Sequence, residues 1–207
     1  MLRRAGRIAG VGILGLLLAR PAGSAEDAEA YMQRAQKAFD QSDLVSAMSW
    51  YRKAAELDYA PAQARLAYLL DKSEQNEEAV SWYQKAAAQG YAEAVYELAH
   101  LHAIGEGVPR DNAKALDGFT QAAQSGYLPA IRVLAIAYEK GELGLRASYA
   151  RAIDWLNEGV RLGDYWSIKR LARAHRTGQL GLRIDRQRAD ALEKSLPPAE
   201  TKSPAPE

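Results

Sequence analysis

This sequence predicts an all-α fold, a right-handed α-solenoid of about five helix-turn-helix repeats, and three observations predict it. First, one pattern recurs from Asp58, Gly90, Gly126 and Gly163: a small residue four positions on, Leu-Ala or Val/Leu-Ala at eight and nine, and an aromatic, His or Leu at twelve. The spacings of 32, 36 and 37 residues are the signature of stacked helical hairpins. Second, the residues before each start also repeat: Ala87, Ala86, Trp82 and Ala79 precede Gly90, and Ala123, Ala122, Gly118 and Ala115 precede Gly126. Offsets of three, four, eight and eleven form one helical face. Third, glycine-bearing loops join the two halves of the later units at Gly105–Asp111, Gly141–Ser148 and Gly178–Asp185.

In chain order, residues 1–25 read as a signal peptide. Arg3, Arg4 and Arg7 make a basic start, Ile8 to Ala19 is apolar, and Gly23-Ser24-Ala25 supplies small residues for cleavage after Ala25. The apolar run makes a helix of about 18 Å, too short for a hydrocarbon core of roughly 30 Å. The twin-arginine pattern is incomplete around Arg3-Arg4, which points to ordinary Sec export. No Cys follows, so a lipid anchor is excluded.

The repeat units run approximately over 26–57, 58–89, 90–125, 126–162 and 163–194. Each holds a helix A, such as Ala94–His102, and a helix B, such as Ala79–Gln89. Alanines and glycines line their contact because two helices approach to about 8 Å only where side chains are small. The Gly ending helix B suits a left-handed backbone, which Asp58 also tolerates. Asp43, Asp111, Ser148 and Asp185 stand where helix B needs an N-cap. Ala28–Phe39 reads as a first helix A. Ala189–Lys194 begins a last helix B that Pro197-Pro198 cuts short, and residues 195–207 read as a proline-rich disordered tail.

Gly-Tyr-Ala-Glu-Ala-x-x-x-Leu-Ala from Gly90, Gly-x-Gly-Val-x-x-Asp from Gly105 and Ala-Ala-x-x-Gly from Ala122 resemble the Sel-one-like repeat, a relative of the tetratricopeptide repeat. The units before Tyr59, with Trp50-Tyr51-Arg52-Lys53-Ala54, look more like tetratricopeptide repeats themselves. The resemblance implies a protein-interaction scaffold. For exported bacterial members it implies roles such as support of exopolysaccharide export or restraint of a sensor kinase.

Catalytic chemistry finds no footing. The chain has no Cys, His102 and His175 occupy a recurring packing slot, and Glu97 with His100 is only half of a metal-site spacing. Gly105-x-Gly107 follows a helix and reads as a turn rather than a phosphate loop. No nucleophile motif is present. The expectation is therefore no enzyme, no metal and no cofactor. Trp50, Trp82 and Trp155 share one helix B slot and read as core and packing between units.

A groove along the A helices, curved as in tetratricopeptide arrays, would be lined by offsets +3, +6, +10 and +13. The candidate partner-binding residues there are Tyr68, Tyr96, His100, Arg132, Trp166, Lys169 and Arg173, chemistry typical of interface anchors. Charge is uneven along the chain. Residues 26–99 hold 7 basic and 13 acidic side chains, whereas residues 161–194 hold 9 basic and 4 acidic. That asymmetry suits a charged partner. The sequence thus reads as an exported, periplasmic protein-interaction adaptor. Its partner would be an envelope protein with an acidic segment, docked by Tyr68, Tyr96, His100 and Trp166 and steered by Arg132, Lys169 and Arg173. The alternative is a polysaccharide- or peptidoglycan-binding module using the same aromatics. No nucleic-acid module surrounds the basic cluster.

Overall fold

The computed structural model describes residues 24–196, and among them every regular element is helical. Five hairpins follow one another: α1 (Ala25–Asp40) with α2 (Leu44–Glu56), α3 (Ala60–Lys72) with α4 (Asn76–Ala88), α5 (Ala92–Ile104) with α6 (Asn112–Gln124), α7 (Leu128–Lys140) with α8 (Tyr149–Arg161), and α9 (Tyr165–Thr177) with α10 (Arg186–Lys194). Each odd helix packs on the even helix after it and, less extensively, on the one before, which is the nearest-neighbour arrangement of a solenoid. The expected signal peptide lies outside the described residues except for Ser24 and Ala25, and the expected tail except for Ser195 and Leu196. No helix among the described residues is long and apolar enough to cross a membrane.

The small residues at the contact faces are where close packing requires them. Ala35, Ala47, Ala62, Ala79, Ala94, Ala115, Ala130 and Ala152 are all fully buried. A Cβ added at Gly118 would sit 2.8 Å from the Ala99 Cβ, and one at Gly159 would sit 2.1 Å from the Ser167 Oγ. Larger side chains interleave with them. Tyr51, Tyr83, Phe119 and Leu156 occupy equivalent positions on the even helices and are buried. The tryptophans that precede the first two and Leu156 are only half-buried, so the deep packing expected of Trp50, Trp82 and Trp155 falls largely to the residue after each.

The turns obey the cap chemistry of the sequence. Asp43, Asp111, Ser148 and Asp185 each accept a backbone N–H from the first turn of the following helix. Asp58 and Gly163 both take the left-handed conformation, at φ 59° and 74°, and end helix B in their units. In the long loops a second device recurs: the backbone N–H groups of Asp111, Ser148 and Asp185 donate to the carbonyls of His102, Tyr138 and His175 at 2.7–2.8 Å. The +12 residue therefore pins the start of helix B through its backbone, whatever its side chain. At the other end, Ser24 caps α1 in a reciprocal box with Asp27, so α1 starts one residue inside the segment assigned to the leader.

Candidate functional site

The joint between consecutive hairpins is built from two recurring positions, +6 of one unit and +1 of the next. Position +1 is Tyr59, Tyr91, Tyr127 and then Asp164. Met32 and Tyr59 fall in one core cluster, as do Ala64 and Tyr91. Tyr96 and Tyr127 meet with ring centroids 5.3 Å apart, and Tyr96 also meets Phe119 at 5.4 Å. At the last joint the pair becomes ionic. Arg132 Nε donates to both oxygens of Asp164 at 3.1 and 3.2 Å, and Nη2 closes the fork on Oδ1. Arg132 is 2% exposed and Asp164 1%.

Two expected groove residues are thereby reassigned. Arg132 is consumed by the buried pair and offers no charge to a partner. Tyr96 lies half-buried between two rings, as a packing residue of its joint. The reason is common to both: +6 points at the next hairpin, not at the open face. Lys169 occupies +6 of the fifth unit, meets no later hairpin among the described residues, and stays exposed beside Glu193 at 3.6 Å.

The remaining candidates stand on the face of the odd helices. Tyr68 is 40% exposed and lines a small cavity of about 150 Å³ with Gln36, Phe39, Tyr51, Arg65 and Leu69. The Lys72 ammonium lies 5.4 Å from its ring centroid. His100 is exposed on α5. Trp166, Lys169 and Arg173 come together around an open pocket of about 410 Å³, which Arg170, Arg176 and Glu193 complete. Arg170 pairs with Glu139, and Arg176 bridges Asp190 and Glu193 at 2.7 and 3.0 Å. Arg173 is exposed and makes no ion pair among the described residues.

A second part of this face lies on α3 and α5, where the offsets read from the sequence include +13 and +3 but not +7. It gathers Asp71, Glu93 and Glu97. Glu93 is held by the Tyr91 hydroxyl at 3.1 Å and by Arg65 at 3.4 Å. Asp71 has one oxygen 3.4 Å from the Lys72 ammonium, while its Oδ1 is buried without a partner. Burial, followed by the charges of Glu93 and Asp71, pushes the Glu97 carboxyl up to about 7, against the pull of Lys72 and Arg65. The missed position is +7, which places Arg65, Glu97 and Arg170 beside the face. A like-signed run of Asp71, Glu93 and Glu97 at +13, +3 and +7 was the available signal. Among the described residues no group of three or more His, Asp or Glu is placed to hold a metal ion.

Comparison with known proteins agrees with this architecture. The family model of the Sel1 repeat matches four times, over residues 28–59, 60–91, 92–127 and 128–164. A Sel1 repeat protein from Oxalobacter formigenes is similar at 26% identity and a TM-score of 0.73, over 87% of this chain and 74% of that one. A protective antigen of uropathogenic Escherichia coli displaying an SLR fold is 23% identical with a TM-score of 0.70, over 81% of this chain and 37% of its own. An immunity protein of Pseudomonas aeruginosa, at 19% identity and a TM-score of 0.61, covers 81% of this chain and 67% of its own. The last two likenesses show the fold. No curated protein matches the sequence.

Proposed function

We propose that this chain, which belongs to the Sel1 repeat family, is an interaction scaffold that holds a segment of another protein along the face of its odd-numbered helices. Sel1 repeat proteins generally mediate protein–protein interaction and are typically non-enzymatic, and the finer reading concerns where and what this chain binds. The observation that carries it is the pocket of Trp166, Lys169 and Arg173: an apolar ring beside a guanidinium without an ion pair among the described residues, on a face that no later element among those residues covers. Trp and Arg are the side chains that most often dominate binding energy at interfaces. An acidic segment complements Arg173 and Lys169.

The partner is an envelope protein and the compartment the periplasm, a reading that rests on the basic, apolar and small-residue succession of residues 1–25. Cell fractionation together with N-terminal sequencing of the exported form tests it; a cytoplasmic protein retaining Met1 overturns it. Binding is tested by photo-crosslinking in cells from position 173 and, as a control, from Asp154 on α8. A protein adduct from position 173 that disappears with Trp166→Ala is the expected result. Adducts only from Asp154, or none that Trp166→Ala alters, overturn the assignment. Retention on peptidoglycan or polysaccharide without any protein adduct would replace the protein partner by a glycan.

A further inference from the structure

Tyr83 of α4 is 2% exposed, and its ring lies in a core cluster with Ala64 and Ala67 of α3 and Ala94 and Leu101 of α5. It therefore reaches from the even-helix layer through to the odd-helix face. Its counterpart one hairpin earlier, Tyr51, ends there by donating its hydroxyl to Gln36 at 3.2 Å. The Tyr83 hydroxyl makes no hydrogen bond and lies instead in the field of Glu97, Asp71 and Glu93, with Tyr68 nearby.

Two more oxygen groups at the same spot lack partners. Asp71 Oδ1 is buried and unbonded. Glu97 makes neither a hydrogen bond nor an ion pair, although it is half-buried. Lys72 and Arg65 approach the rim but engage Asp71 Oδ2 and Glu93. The cluster thus presents three oxygen sites with unused acceptor capacity, the Tyr83 hydroxyl, Asp71 Oδ1 and the Glu97 carboxyl, beside the aromatic ring of Tyr68. An ammonium carries three N–H donors and a guanidinium five, so either can meet all three acceptors, and both are attracted to aromatic faces. The arrangement does not suit a metal ion.

We infer that the cradle of Tyr83, Asp71 and Glu97 binds the cationic head of a lysine or arginine side chain carried by the partner polypeptide. This deepens the scaffold reading and rests on it for the partner being a protein. It also gives the bound segment a direction. Its basic residue sits at α3–α5 and its acidic one at α9, two odd helices further on.

The test uses the full exported chain, labelled for amide NMR and titrated with Nα-acetyl-lysine-N-methylamide, the arginine equivalent, and the uncharged norleucine equivalent. Shifts at Tyr83, Asp71 and Glu97 with one or both cations and not with norleucine are expected, and the better of the two names the preferred side chain. Glu97→Gln should weaken binding at least about tenfold, and Tyr83→Phe, which keeps the ring, about threefold. Equal shifts with norleucine, no shifts with either cation, or cation binding unchanged in Glu97→Gln each overturn the inference. In the crosslinking experiment above, failure of the scaffold reading appears as no protein adduct in the parent chain. Failure of the cation cradle appears as an adduct that Glu97→Gln leaves undiminished.

Discussion

Arg132 and Asp164 close the joint between the fourth and fifth hairpins with a two-pronged ion pair that water does not reach. Asp164 does two things at once there: its other hydrogen bonds, from the Ser167 backbone N–H at 2.9 Å and hydroxyl at 2.6 Å, cap α9. A single carboxylate therefore holds the helix start and the neighbouring hairpin together.

Removing one partner strands the other. Asp164→Ala should cost about 3–5 kcal/mol in urea-induced unfolding, because it leaves a buried guanidinium and an uncapped α9. The pair Arg132→Met with Asp164→Tyr rebuilds the chemistry of the first joint, Met32 with Tyr59, and should recover most of that loss. Equal losses in the single and double variants would contradict this account.

Acid should act on the same joint. Burial works to raise the Asp164 carboxyl, but the hydrogen bonds from Arg132 and Ser167 and the Arg132 charge outweigh it and hold the group below the usual carboxylate range. A lowered carboxyl pKa adds stability that is present above the unfolded value, near 3.8, and is lost as pH falls through the folded one. Parent protein should lose stability below about pH 4 more steeply than Arg132→Met/Asp164→Tyr, as measured by thermal melts across pH 2–6.

Glu97 predicts the opposite slope. Its carboxyl is raised from 4.5 to about 7, so the folded state holds a proton that the unfolded state has lost, and the associated stability is full below pH 4.5 and gone above 7. The groups that set this are Glu93 and Asp71 against Lys72 and Arg65, with Tyr83, Tyr96 and Tyr127 sharing the field of the carboxylate. Between pH 5 and 8 the protein should lose on the order of 2 kcal/mol, after allowance for water reaching part of the carboxyl. Glu97→Gln should flatten that slope and be more stable than the parent at pH 8.

Gly159→Ala should be severe for so small a change. The new methyl meets the Ser167 Oγ at 2.1 Å and Cβ at 2.6 Å, and Ser167 cannot retreat without releasing Asp164. A loss of about 2–3 kcal/mol is expected. Gly159→Ala combined with Ser167→Gly should restore most of it by returning the space.

Much of the fold was legible because the determinants are local and repeated. A small residue every three or four positions, a left-handed turn and a capping Asp or Ser each leave a mark in sequence. The site was less so. A helical period says which residues leave the hairpin's own core, but not whether the next hairpin covers them, and that is why Tyr96 and Arg132 read as groove residues. The clue lay between units rather than within one: where +1 changes from Tyr to Asp, the preceding +6 is Arg. Glu97 was hidden differently, since its importance comes from Tyr83 reaching through from the neighbouring layer, a relationship without sequence proximity.

The unlike joints also mean that the units are not interchangeable modules. Excising residues 90–125 would set Ala64 before Tyr127, a small residue beside a ring, much as Ala64 already stands before Tyr91. Excising residues 126–162 would instead set Tyr96 against Asp164 and entomb a lone anion. The array can be shortened by a turn of its spiral at one place and not at the other, so a single ionic seam restricts the lengths to which this lineage of repeats can be cut.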